Sequence, residues 1–196
     1  MRYRSYQHRS RQGFRLSPVL ILILVNVLLF IATLTNANII YYLGLMPAGV
    51  LLRPWTIVTS MFLHSGLWHI IFNMWMLFLF GSSLSRLVGE GRFLFVYFCG
   101  GILGSVLFIL LAPPFSIAVG ASGAVYALGG AFAVMRPKQR FIIFPIPVPM
   151  PLWVVVLVFM VIFSFLPGIA RPPPEEIASN EPENQAAEVS LPRYTR

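Results

Sequence analysis

Aspartate is absent from this 196-residue chain, lysine and cysteine occur once each, and histidine occurs three times. Charged residues make up only 10% of the sequence, and five of its six acidic groups, Glu175, Glu176, Glu181, Glu183 and Glu188, lie beyond residue 170. Each shortage excludes something. Cys99 alone provides neither a disulfide framework nor a thiolate metal site within one chain. Zinc usually takes three protein ligands, and a chain without aspartate or a His-Glu-x-x-His spacing is a poor host for it. No metal and no other cofactor is therefore expected. No charge falls in the middle of an apolar run to define an ion path, and no internal repeat supports an inverted-repeat transporter.

What the chain has is apolar surface. It is 58% hydrophobic with a mean hydropathy of +0.81, more than a soluble domain can hide in one core. The lipid bilayer is the expected solvent. A spanning helix needs roughly 20 apolar residues at about 1.5 Å each. Five stretches qualify, at about 17–34, 66–87, 92–112, 120–135 and 151–166. Arg2, Arg4, Arg9, Arg11 and Arg15 precede the first, Arg86 and Arg92 bracket the connection after the second, and Arg136, Lys138 and Arg140 follow the fourth. All three clusters share one side if the N-terminus is cytoplasmic and the tail lies opposite, as the positive-inside rule requires. The net charge of +8 then reports topology, and no nucleic-acid partner is expected.

Organisation follows from composition. Residues 1–16 form a basic leader that does not read as a cleaved signal, since no small-residue cleavage site follows the apolar run. Residues 17–170 form the membrane domain. Between the first two helices, Thr35 to Ser65 is a long irregular loop broken by Pro47, Gly49 and Pro54, expected to be partly membrane-embedded. Pro145, Pro147, Pro149 and Pro151 make the stretch from Phe141 an extended connection. Residues 171–196, rich in proline and glutamate, read as a disordered tail.

Polar groups inside a bilayer are expensive and invite a functional hypothesis. His69 and Asn73, four apart, share one face of the second helix, and His64 lies just ahead of it. Hydrogen bonding to neighbouring helices would also account for them. At the start of the fourth helix stands Gly120-Ala121-Ser122-Gly123. A serine between glycines at a helix N-terminus leaves room for a carbonyl, and the unpaired N–H groups favour a developing oxyanion, the geometry of acyl transfer. Packing is the competing reading, because Gly123, Ala127 and Ala131 recur every four residues and would let another helix approach.

Together these pieces resemble the rhomboid family of intramembrane serine proteases. The resemblance rests on Met61-Phe62-Leu63-His64, His69-Ile70-Ile71-Phe72-Asn73 and Gly120-Ala121-Ser122-Gly123-Ala124-Val125-Tyr126, in that order, and runs from about Ser17 to Ala170. It implies an all-α polytopic membrane protein, a rhomboid-like helical bundle with five of the family's six core transmembrane helices. It implies Ser122 as nucleophile, and His69 and Asn73, with the Ser122 N–H, as the oxyanion hole. Tyr126 matches the tyrosine on which the family's catalytic histidine stacks, and His64 matches a structural histidine. Trp55 fits the family's embedded loop, whereas Thr56 stands where many members carry arginine and Ser85 where glutamate is common. The partners implied are protein substrates or clients with transmembrane helices. The location implied is the plasma membrane of a prokaryote.

The family's base is a histidine on a sixth helix, and this sequence has no histidine after His69. Lys138 is sixteen residues beyond Ser122, roughly 24 Å along a helix axis, too far to replace it. Three expectations follow. The chain is a protease scaffold truncated or frame-shifted after the fifth helix, and it has little or no activity as written. Alternatively, it is a non-catalytic rhomboid-like protein that binds client helices. Loss of a sixth helix would also leave small-residue faces of the fourth helix exposed to lipid.

Overall fold

The computed structural model describes residues 16–143 and 146–165. The leader up to residue 15, the junction 166–170 and the tail 171–196 lie outside the described residues, so the readings of leader and tail made above fall there.

The first helix, α1 (Pro18–Thr35), opens with Ser17, whose Oγ accepts from the Leu20 N–H at 3.4 Å, and with Pro18, whose missing N–H costs nothing at that position. The loop that follows is more ordered than the sequence suggested. It folds into α2 (Asn38–Leu43), a 3₁₀ turn (Pro47–Gly49), α3 (Thr56–Thr59) and a second 3₁₀ turn (Ser60–Phe62). Three side chains satisfy the last carbonyls of α2: Arg53 Nη1 donates to Tyr41 O at 2.8 Å, Trp55 Nε1 to Tyr42 O at 3.3 Å, and Thr59 Oγ1 to Leu43 O at 2.7 Å. Arg53 also stacks 4.7 Å over the Tyr41 ring. Loop order thus comes from an arginine three residues before Thr56.

The second long rod runs from Leu67 to Val88. It consists of α4 (Leu67–Met76), a π-helical turn at Leu77–Gly81 and α5 (Ser82–Val88). Gly89, at φ 88°, breaks the rod and leads into α6 (Glu90–Leu111), whose only acidic residue, Glu90, sits in the first turn where the helix dipole favours it. A fourth helix, α7, spans Ser122–Met135 and starts two residues later than expected, because Gly120 takes φ 127°, a non-helical value. After it, β1 (Arg140–Ile143) and β2 (Ile146–Pro151) pair antiparallel. The extended, proline-rich connection is therefore a small hairpin in an otherwise helical fold. The last helix is α8 (Leu152–Phe165).

Among the described residues, three helices are long and apolar enough to cross a membrane: Pro18–Thr35, Leu67–Val88 and Glu90–Leu111. Their outer faces carry exposed apolar side chains such as Leu28, Ile31, Leu103 and Leu110, as in a membrane protein whose surrounding medium is hydrocarbon. The core gathers around the π turn, where Leu77, Phe80, Leu84, Phe93, Tyr97, Leu128 and Leu152 are all at most 1% exposed.

Glycine sets the α6–α7 contact that places the start of α7. A Cβ on Gly100 would collide with Ala127 Cβ, and one on Gly104 would lie 3.3 Å from Gly123 Cα. Gly123 and Ala127 therefore do pack, as the repeat of small residues implied, and what covers them is α6. Elsewhere on α7, a Cβ on Gly130 would meet none of the described residues within 4 Å.

Candidate functional site

The segment before Ser122 is held by the loop after α1. Leu45 and Ala118 exchange backbone hydrogen bonds at 3.0 and 2.8 Å, and Ala48 N–H donates to Pro114 O at 2.9 Å. Gly120 N–H then donates to Ser60 O at 2.9 Å. These bonds fix where α7 begins. Its N-cap, Ala121, offers no side-chain acceptor, so the N–H groups of the first turn, beginning at Ser122, have no intrahelical partner.

His69 reaches the same place from α4. A Cβ built on Gly120 would lie 2.8 Å from both Cε1 and Nε2 of His69, so the imidazole edge rests directly on the Gly120 backbone. Only glycine accepts both that approach and the positive φ. On the other side of the ring, Nδ1 lies 3.1 Å from Ser65 Oγ and 3.5 Å from Ser65 N. His69 is the third residue of α4, and its ring reaches back over the helix start to Ser65, the residue before the Gly66 N-cap.

Asn73, one turn along α4 and 2% exposed, donates from Nδ2 to His69 O at 2.8 Å. The amide has a second N–H. Asn73, Ser122 and Tyr126 line one small cavity walled by Met76, Phe80 and Val156. Its volume is about 10 Å³, room for one water. Val156 brings α8 to the site, and Gly129 allows it, since a Cβ there would lie 2.9 Å from Val156 Cγ2.

His64 is 1% exposed, and its ring meets that of His69 edge to face with centroids 5.1 Å apart. Among the described residues neither of its ring nitrogens has a well-formed hydrogen bond. Burial, helped by the neighbouring His69 charge and opposed weakly by the Phe62 backbone, holds His64 down at about 3, far below the usual histidine range. It is a neutral wall of the site, supporting the His69 ring.

The structure thus brings His69 against Gly120, and Asn73 into a shared cavity with Ser122 and Tyr126. Gly123 it turns towards α6 instead. Sequence reasoning missed Ser65, which stands one residue before the α4 N-cap and carries no motif. It also missed Asn26, fully buried in the middle of α1 beside the sealed hydroxyl of Tyr97. A lone asparagine within an apolar run was the available signal for that residue. Among the described residues no group of three or more metal-ligating side chains forms.

This arrangement sets a part-buried serine at a helix start, with a histidine and an asparagine converging on it from a second helix, inside a helical membrane domain. The Rhomboid domain family model matches residues 51–179, and the chain belongs to the rhomboid family. It is 40% identical over 81 residues to the putative rhomboid protease YdcA of Bacillus subtilis (strain 168), an overlap of 41% of each chain. With Rhomboid protein 1, mitochondrial, of Saccharomyces cerevisiae it shares 35% over 108 residues, 52% of this chain and 31% of the relative. The rhomboid protease GluP of Bacillus subtilis (strain 168) is 39% identical over 86 residues, 44% of this chain and 17% of the relative. The chain therefore spans less than half the length of each of these relatives.

Proposed function

We propose that the protein is a rhomboid-type intramembrane serine endopeptidase scaffold, with five membrane-crossing helices at α1, Leu67–Val88, α6, α7 and α8, an N-terminus in the cytoplasm and transmembrane helices as substrates. Ser122 Oγ is the nucleophile for a peptide carbonyl. The tetrahedral oxyanion is received by His69 Nε2–H, the free N–H of Asn73 Nδ2 and the Ser122 backbone N–H. One observation carries this reading: the imidazole edge of His69 lies on Gly120, two residues from Ser122, in a contact only glycine permits.

The reaction also needs a base for the Ser122 proton. The three histidines of the sequence are His8, His64 and His69. His69 serves as donor and His64 is packed behind it, so neither takes that proton. The 196-residue chain accordingly has little or no turnover, because losing a member of a catalytic set costs about 10⁴-fold or more. The test is cleavage of a single-pass reporter helix in liposomes by wild type and Ser122→Ala. Equal, near-background rates are expected, and robust turnover lost in Ser122→Ala would overturn the inactivity.

The lack of a further histidine favours one second reading, a non-catalytic protein that binds client helices. It predicts crosslinked client helices whose recovery is unchanged by Ser122→Ala.

A further inference from the structure

We infer that Ser65 is a positioning residue that fixes the tautomer of His69, holding the imidazole proton on Nε2. The inference deepens the oxyanion-hole reading and rests on it for its functional meaning. A neutral imidazole has one N–H and one acceptor nitrogen, and which is which depends on the partners each nitrogen meets. Nδ1 of His69 faces the Ser65 backbone N–H at 3.5 Å and the Ser65 hydroxyl at 3.1 Å. A backbone N–H can only donate. A proton on Nδ1 would point at it and force the hydroxyl to act as acceptor. With the lone pair on Nδ1, both Ser65 groups donate to the same nitrogen and the remaining proton sits on Nε2.

That nitrogen is the one that lies against Gly120, at the entrance to the first turn of α7. The opposite tautomer would present a lone pair there and repel a developing oxyanion. His64 keeps the ring from turning over, since its edge-to-face contact at 5.1 Å fills the space behind His69. The α4 helix start therefore does two things with one contact: it ties down the N-terminal turn, and it aims a donor at the carbonyl site.

The experiment reads the tautomer directly and needs no turnover, so its outcome is independent of the liposome assay that tests the protease reading. The full chain is labelled with ¹⁵N-histidine in lipid nanodiscs. Only three imidazoles contribute, and His69→Gln identifies the signals of interest by their loss. In wild type, His69 is expected in a single tautomer with a protonated-type Nε2 and an acceptor-type Nδ1. Ser65→Ala removes the shorter of the two contacts, and the tautomer ratio is expected to move about tenfold towards Nδ1–H, as for the loss of one hydrogen bond. Ser65→Thr, which keeps the hydroxyl, is expected to restore the wild-type ratio. A wild-type thermal unfolding midpoint in Ser65→Ala and Ser65→Thr certifies the fold. Nδ1–H as the dominant wild-type form, or a Ser65→Ala ratio within about twofold of wild type, overturns the inference.

Discussion

The α6–α7 contact sets the position of Ser122, and its glycines make a quantitative test. Alanine at Gly100 would place a Cβ into Ala127 Cβ, where ordinary carbon contacts settle at about 3.5–4.0 Å. The two helices must then separate or rotate, an overpacking cost of about 1–3 kcal/mol. Gly→Ala also relieves backbone entropy by about 1 kcal/mol in a helix interior. Gly130→Ala on α7 carries the same relief into open space. The difference between the two variants therefore isolates overpacking at about 1–3 kcal/mol. Gly104→Ala should fall between them, because its Cβ would sit 3.3 Å from Gly123 Cα and ask for a shift of only a few tenths of an ångström. Reversible unfolding in mixed micelles gives the free energies. Thiol labelling of Cys99, the sole cysteine and a neighbour of Gly100 on α6, gives an independent rate of opening. If Gly100→Ala and Gly130→Ala agree within about 0.5 kcal/mol, the usual scatter for unrelated sites, glycine-mediated approach does not hold α7 in place.

Gly120→Ala forces a positive φ of 127° on a residue with a Cβ and drives that Cβ to 2.8 Å from His69. A loss of about 2 kcal/mol or more is expected in thermal unfolding, with displaced His69 imidazole signals; unaltered signals would contradict the contact. Since His64 is held at about 3 when folded, against 6.5 in the unfolded chain, its contribution is complete above pH 6.5 and declines as pH falls towards 3. That linkage amounts to about 1.5 kcal/mol between pH 6.5 and pH 5, read as a falling unfolding free energy that flattens in His64→Gln. Arg53→Lys keeps the charge but gives up the planar stacking on Tyr41 and the fixed reach to Tyr41 O. Faster amide hydrogen exchange over residues 44–53 is expected, and wild-type protection there would count against the arginine tie.

Much of this fold was legible because lipid makes it so. Long apolar runs in α1, Leu67–Val88 and α6 announce themselves by length alone, and Ser17-Pro18 marks a helix start that any chain would use. The i, i+4 spacing of His69 and Asn73 put both on one side of α4, where the structure has them. Less legible were features set by distant partners. Loop order between α1 and α4 depends on carbonyls of α2 meeting Arg53, Trp55 and Thr59 twelve to sixteen residues away, which no local pattern encodes. The start of α7 moved from Gly120 to Ser122 because Gly120 answers to Ser60 O and the His69 ring. Gly123 and Ala127 looked equally suited to any helix, and only packing assigned them to α6.

The proposed site divides into a part that stabilises charge and a part that moves a proton, and the two differ in how they are built. Charge stabilisation uses groups tied to one another within the described chain: Ser65 to His69, His69 to Gly120 and to Asn73, Gly120 to the loop through Ser60. On the proposed reading, a site without its base would therefore keep its oxyanion pocket. Such a pocket with binding alone gives about 10³–10⁴-fold over the uncatalysed rate, so any residual cleavage should survive Ser122→Ala only if water attacks in place of the serine. A residual rate lowered by His69→Gln yet unchanged by Ser122→Ala would show the pocket working without its nucleophile. Equal rates in all three chains would show that the pocket contributes nothing to cleavage, and recovery of crosslinked client helices then decides between the two readings.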